Sequence, residues 1–182
     1  MSFRRRDLLA AAASLAVSPA LAQGADAENT IHLDLKDGRV VIRLRPDLAP
    51  KHVAQIKTLT RQGFYDNIVF HRVIDGFMAQ TGDPTGTGMG GSKLPNIPAE
   101  FSKASFGRGT VGMARSQSPD SANSQFFICF ADASFLNEKY TVVGQVTAGM
   151  EFVDKIKKGS QARNGEVQNP DKIVRMKVAA DK

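Results

Sequence analysis

The sequence predicts a mainly β chain folded as a closed antiparallel barrel whose ends are plugged by two helices. Three observations lead there. Short apolar segments recur along the 182 residues, separated by Gly, Pro and Asx turns. Only two stretches carry helical spacing. Cys129 is the single cysteine, so no intrachain disulfide can hold the fold, and packing must do so.

The elements follow in order. Ile31 to Leu35 and Val40 to Leu44 alternate apolar with polar around Asp37-Gly38, a hairpin signal. Pro46 to Arg61 places Val53, Ile56, Leu59 and Thr60 at helical spacing, with a proline near its start and Gly63 beyond its end. His52 lies on this helix between Lys51 and Gln55, where a solvated surface histidine is expected. Val69 to Ile74 and Phe77 to Thr81 are two short strands, with Phe70, Arg72 and Ile74 on one face and Met78 with Gln80 on the next. Gly82 to Pro98, with five glycines and three prolines, is an ordered loop of tight turns bordering a groove. Its Gly86-Thr87-Gly88-Met89-Gly90-Gly91 run lacks the strand before and helix after that a nucleotide loop needs. Thr110 to Ala114, Gln125 to Phe130 and Thr141 to Val146 are strands, Met150 to Lys157 is the second helix, and Lys172 to Val178 is the last strand. Pairing this last strand with the first hairpin would close the sheet and remove its edges. Cys129, within Phe126-Phe127-Ile128-Cys129-Phe130, is a small core residue and not a nucleophile.

Composition bounds the function. With 42% hydrophobic and 23% charged residues the chain is an ordinary globular one, long enough for a single domain, here residues 29–180 after a short mobile leader at 23–28. Residues 1–22 read as an export signal: Arg4-Arg5-Arg6, an apolar stretch from Leu8 to Val17, and Ala20-Leu21-Ala22 as the cleavage site. Arg5-Arg6-Asp7-Leu8-Leu9 favours the twin-arginine route, with ordinary secretory export as the alternative. The mature chain is therefore expected to be soluble and periplasmic or secreted, with no stable membrane insertion. Without the signal, 21 basic and 17 acidic residues remain. That weak positive charge has no aromatic-interleaved basic cluster, so nucleic acid is not an expected partner.

The chemistry concentrates in Phe70-His71-Arg72-Val73-Ile74-Asp75-Gly76-Phe77-Met78-Ala79-Gln80. A cation, an amide and large apolar side chains within eleven residues suit a site that grips an apolar group and presses one donor against it. His71 invites a hydrolase reading with Ser124 or Ser134, but no Gly-x-Ser-x-Gly elbow exists and no acid is placed to orient the imidazole. His32, His52 and His71 show no metal-ligand spacing.

With Thr81-Gly82-Asp83 appended to that run, then Gly112-Met113-Ala114-Arg115 and Asn123-Ser124-Gln125-Phe126-Phe127-Ile128, the chain resembles the cyclophilin family of peptidyl-prolyl isomerases over about Asn29 to Val178. The resemblance implies an eight-stranded antiparallel barrel capped by two helices, with no cofactor and no metal. By position it implies that Arg72 is the catalytic arginine, that Gln80 orients it, and that Phe77, Met78, Phe127 and Leu136 receive the proline ring. It further implies that His71 and Gln125 line the groove, that the backbone of Ala114 and Arg115 holds the peptide, and that Phe135 and Tyr140 complete the rim. Many eukaryotic members carry Trp at the position of Phe135 and His at that of Tyr140, so weak cyclosporin binding is expected. Arg115 replaces a common asparagine, a change that a backbone contact tolerates. Arg115 to Ser124 is one residue longer than in many eukaryotic members. The implied activity is rotation about X–Pro bonds in peptides and unfolded exported proteins, assisting folding as a monomer. The alternative is a proline-peptide binding module or holdase with little turnover.

Overall fold

The computed structural model describes residues 26–181. The predicted export signal at 1–22 and the first part of the leader lie outside the described residues. Eight strands form one antiparallel sheet: β1 (Thr30–Leu35), β2 (Gly38–Leu44), β3 (Arg72–Ile74), β4 (Met78–Thr81), β5 (Thr110–Met113), β6 (Phe126–Cys129), β7 (Val142–Ala148) and β8 (Arg175–Val178). Among the described residues, two further elements are the α-helices α1 (Pro50–Arg61) and α2 (Met150–Asp154), and short 3-10 turns link the strands. The spatial order is β3-β4-β6-β5-β7-β2-β1-β8.

The hairpin β1–β2 sits where Asp37-Gly38 predicts it, but its turn is Lys36-Asp37, because Gly38 already pairs with Leu35. Glycine is required there by packing: a Cβ on Gly38 would lie 2.5 Å from the Phe152 ring of α2. As expected, β8 pairs with β1, Ile31 facing Val178 and Leu33 facing Met176.

The barrel is curled but less closed than the sequence predicts. No ladder joins β3 to β8. The segment from Gly159 to Val167 occupies the outer edge of β3 instead: Val73 N–H donates to Gly165 O at 2.8 Å, Gly159 N–H to Val73 O at 2.8 Å and Val167 N–H to His71 O at 3.1 Å. The seam is therefore drawn together only by the Val69–Lys172 bridge and its neighbours, Phe70 N–H to Asp171 O among them. An edge strand so covered is protected without a closing ladder.

Three predicted boundaries move. The first helix begins at Pro50, not Pro46, because Arg45 O accepts from both Leu48 and Ala49 N–H in a preceding turn. The second ends at Asp154, because the Lys157 N–H turns to the Asp171 carboxylate at 2.8 Å and leaves no helical bond to continue. Regular strand begins at Arg72, not Val69. Phe70 consequently packs in the barrel core while Ile74 packs against a second cluster, so the two do not share a face.

His52 is not solvated; it is fully buried on α1. Its Nδ1 lies 2.6 Å from Glu100 Oε2, and the same carboxylate accepts the N–H groups of Lys51 and His52 at the helix start. Glu100 thus caps a helix whose own N-cap, Ala49, offers no side-chain acceptor. Burial, only partly opposed by Glu100, lowers the imidazole's pKa. The described end of the leader is also tied down: Asp26 to Glu28 form a helical turn, and Glu28 pairs with Arg61 at 2.7 Å and Lys57 at 3.0 Å.

Two apolar clusters sit on opposite faces of the sheet. Val73, Ala79, Ile128 and Val111 point into the barrel, where they join Ile31, Leu33 and α1 residues Val53, Ile56 and Leu59. Their sequence neighbours Met78, Phe127 and Cys129 point outward and join Phe106 and Leu136 in the second cluster. Period-two alternation thus separates core from site. Cys129 is fully buried there, and burial first, with Asp132 second, leaves its thiol pKa pushed up to about 12.

Candidate active site

The site is a row of residues running across four strands on the outer face. Arg72 on β3 faces Gln80 on β4, Gln80 faces Phe127 on β6, and Phe127 faces Gly112 on β5. Directly opposed residues share a face, so the sheet sets a cation, an amide and an aromatic ring side by side. Gly112 is needed to seat that ring: a Cβ there would lie 2.6 Å from both the Phe127 and the Phe106 rings, which stack at 5.9 Å between centroids. Two residues along, Met78 and Cys129 form the next row, Met78 lining the pocket and Cys129 buried beside it.

A cleft of about 820 Å³ opens over this row. Of the residues predicted for the site, Arg72, Gln80, Phe127, His71, Phe77, Met78, Ala114, Arg115, Phe135, Leu136 and Tyr140 all line it. Gln125 lines instead an adjoining cavity of about 560 Å³ that shares Gln80, Gly88, Ala114 and Arg115 with the cleft. Phe77 packs against Phe135 at 5.2 Å, and Tyr140 meets the Phe127 ring edge-on at 6.0 Å.

Arg72 is held on two sides. Its Nη1 donates to Gln80 Oε1 at 3.1 Å, Nε to Asn164 O at 3.0 Å and Nη2 to Asn164 Oδ1 at 3.0 Å. Two of its five N–H donors stay uncommitted among the described residues. Burial lowers the guanidinium's pKa, but an arginine keeps its proton at any working pH.

From Gln80 the hydrogen bonds continue outward. Gln80 Nε2 donates to Gln125 Oε1 at 2.9 Å, and Gln125 Nε2 donates to Gly88 O and Gly90 O at 3.0 and 2.8 Å. The N–H groups of those two glycines, with those of Thr85 and Thr87, converge on the buried Asp83 carboxylate. Burial alone would raise the Asp83 pKa; the hydrogen bonds from Thr85, Gly90 and Gly88 outweigh it and lower the value to about 2. The glycine-rich loop is thus an ordered wall of the groove. Gly90 must be glycine, since a Cβ would fall 2.2 Å from Asp83 Oδ1.

The hydrolase reading of His71 fails on geometry. Among the described residues neither ring nitrogen has a hydrogen-bond partner, Ser124 Oγ donates to Gly82 O at 2.7 Å, and Ser134 Oγ donates to Asp132. Among the described residues, no group of three or more His, Cys, Asp or Glu side chains could hold a metal ion, and no helix is long and apolar enough to cross a membrane.

Sequence reasoning missed Asp83, Thr87, Gly88, Arg163, Asn164 and Glu166. The Asn164-Gly165 pair signals a turn, and Asn164 does adopt a left-handed φ of 52°. Nothing local to it announces the contact with Arg72.

A cleft that sets the anchored Arg72 guanidinium beside the apolar side chains of Phe77, Met78, Phe127 and Leu136, on the outer face of a curled eight-stranded sheet, suits a protein that holds an apolar unit beside a hydrogen-bond donor. Comparison with known proteins says which. Residues 30–178 match the family model for cyclophilin type peptidyl-prolyl cis-trans isomerase/CLD. The chain is 60% identical over 195 residues to a probable peptidyl-prolyl cis-trans isomerase of Brucella suis, covering 100% of this chain and 99% of that one. It is 36% identical over 159 residues to the Aspergillus oryzae peptidyl-prolyl cis-trans isomerase-like 1, covering 83% and 96%. Among solved structures, the Hirschia baltica cyclophilin AquaCyp293 aligns with a TM-score of 0.77 at 26% identity, over 86% of this chain and 76% of that one. A Cryptosporidium parvum cyclophilin type isomerase, solved in the presence of the dipeptide Ala-Pro, aligns with a TM-score of 0.74 at 26% identity, over 82% and 98%. The chain belongs to the cyclophilin-type peptidyl-prolyl cis-trans isomerase family.

Proposed function

We propose that Arg72 accelerates rotation about X–Pro bonds by donating a hydrogen bond to the prolyl nitrogen in the twisted transition state. The observation that carries this reading is the double anchorage of Arg72 by Gln80 and Asn164, which leaves donors free at the mouth of an apolar pocket. Rotation faces a barrier of about 18–20 kcal/mol, set by amide resonance. As the bond twists, the prolyl nitrogen regains its lone pair and becomes a better acceptor than in the planar ground state. A donor aimed there stabilises the transition state selectively.

Magnitudes show that the donor is not sufficient alone. A hydrogen bond to a charged group contributes about 1.5–3 kcal/mol, or roughly one to two powers of ten in rate. The rest falls to Phe77, Met78, Phe127 and Leu136, which hold the ring while the preceding carbonyl swings, and to exclusion of water. Neither a nucleophile nor a proton transfer is needed.

The substrates in this reading are proline-containing peptides and unfolded proteins met outside the cytoplasm, the chain acting as a monomer after export directed by residues 1–22. The motif Arg5-Arg6-Asp7-Leu8-Leu9 supports that destination. Cell fractionation with Arg5 and Arg6 both changed to Lys tests it: twin-arginine export stops, whereas general secretion continues.

The experiment for the activity is cis-to-trans exchange of a short X–Pro peptide with the wild type and Arg72→Ala. A loss of about ten- to hundredfold in the variant, with the fold intact by circular dichroism, supports the reading. Full activity in the variant overturns the role of Arg72. A folded wild type that binds peptide without accelerating exchange is the holdase alternative.

A further inference from the structure

We infer that Arg115 makes this isomerase selective for client segments carrying an acidic side chain within about two residues of the proline. The inference rests on the isomerase reading above and adds a substrate class to it.

Arg115 stands where the proline cleft and the adjoining cavity meet, and lines both. A peptide advances about 3.3 Å per residue when extended, so a neighbour of the bound proline enters the adjoining cavity. That cavity has Ser92, Asn96, Ser116, Ser121 and Asn123 in its wall beside apolar surface, and Arg115 carries its single formal charge. The acid nearest in sequence, Asp120, is engaged elsewhere, accepting the Ala99 N–H at 2.8 Å.

The charge of Arg115 is fixed in place but not neutralised. Its guanidinium donates to Lys139 O at 2.9 and 3.3 Å, to Ser116 O at 3.0 Å and to Gln117 O at 3.1 Å, all uncharged carbonyls. One face stacks over the Tyr140 ring at 4.6 Å. Among the described residues no carboxylate lies within ion-pair distance of it. Arg163, which also lines the cleft, is by contrast paired with Glu166 at 3.6 Å. One N–H of Arg115 remains for a ligand, and the side chain gives up little entropy on binding because it is already ordered. A carboxylate reaching it gains a charge-assisted hydrogen bond in a half-enclosed site, and a lysine there meets like charge.

The test measures kcat/KM for acetylated tetrapeptides containing one proline, with Glu, Gln or Lys placed two residues before, one before or one after it. Comparing substrates within each enzyme variant keeps general losses of turnover out of the result. At one of these positions the wild type favours Glu over Lys by about three- to tenfold at low salt, and the ratio falls towards one at high salt. Arg115→Gln abolishes the preference and Arg115→Glu reverses it. Equal rates for Glu, Gln and Lys at every position overturn the inference while leaving the isomerase reading intact, as does a preference that survives in Arg115→Gln. No acceleration of any peptide by the folded wild type overturns the isomerase reading itself.

Discussion

Asn164 and Arg72, 92 residues apart in sequence, are joined by two hydrogen bonds of 3.0 Å, one to the asparagine carbonyl and one to its side chain. Asn164 can do this because its backbone is left-handed, which turns carbonyl and amide towards β3 together. Replacing it by glycine keeps that conformation and the carbonyl, and removes only the Oδ1 acceptor. Asn164→Gly should lower kcat/KM by about three- to tenfold, less than the full worth of one charge-assisted bond because Gln80 and the residue-164 carbonyl still hold the guanidinium, with little change in thermal midpoint. Peptide exchange measured beside a melting curve checks it; unchanged exchange would show that Gln80 and the backbone carbonyl of residue 164 suffice to position the guanidinium.

Asp83 organises the glycine-rich wall and, through Gly88, Gly90, Gln125 and Gln80, backs Arg72. Asp83→Asn turns an N–H₂ group against backbone donors. It should destabilise the fold by about 1–3 kcal/mol and reduce kcat/KM by roughly tenfold.

The same carboxylate makes a pH prediction. Its folded pKa is depressed from 3.8 to about 2, so the folded state binds fewer protons than the unfolded state between those values. The associated stability, roughly 2 kcal/mol, is therefore present above about pH 4 and lost as pH falls through 2. Urea midpoints measured from pH 7 downward should be flat to about pH 5 and then decline, and Asp83→Asn should decline less steeply.

Gly112 lies opposite Phe127, where a Cβ would meet two aromatic rings at 2.6 Å. Gly112→Ala should displace Phe127 into the cleft, cost about 1–3 kcal/mol of stability and raise KM for proline peptides. A crystal structure of the variant with an unmoved ring would refute this.

Glu100 caps α1 and holds the buried His52 from a loop 48 residues away. Removing its side chain leaves helix N–H groups and an imidazole nitrogen buried without partners. Glu100→Ala should therefore cost about 2–3 kcal/mol in denaturant unfolding, while kcat/KM per folded molecule holds, since neither residue lines the cleft. A fall in kcat/KM would instead couple α1 to the site.

Strand periodicity made Arg72, Met78 and Gln80 legible, whereas the place of Phe127 came from the family resemblance. Arg72, Gln80 and Phe127 lie on adjacent antiparallel strands, so local alternation decides which face each occupies, and the short hairpin between β3 and β4 sets Arg72 opposite Gln80. Phe70 shows where that reasoning stops: its place in the pattern promised the face of Arg72, but regular pairing begins two residues later and it packs in the core. His52 shows another limit. Its neighbours Lys51 and Gln55 made the helix face look polar, and only Glu100, arriving from a distant loop, makes its burial tolerable.

By itself, then, the sequence determined the antiparallel β class, the hairpins, the face assignment of Arg72, Gln80 and Met78, and the glycine loop as a groove wall, because each follows from contacts among near neighbours. Tertiary structure alone decided that the segment from Gly159 to Val167 would cover β3, leave the barrel seam to one bridge and bring Asn164 to Arg72. It also decided that Glu100 would cap α1 and that Arg115 would stand uncompensated between two cavities. Those are meetings of residues far apart in the chain. The physical reason is that their partners are set by how the strand edges and loops pack, on which no local period bears.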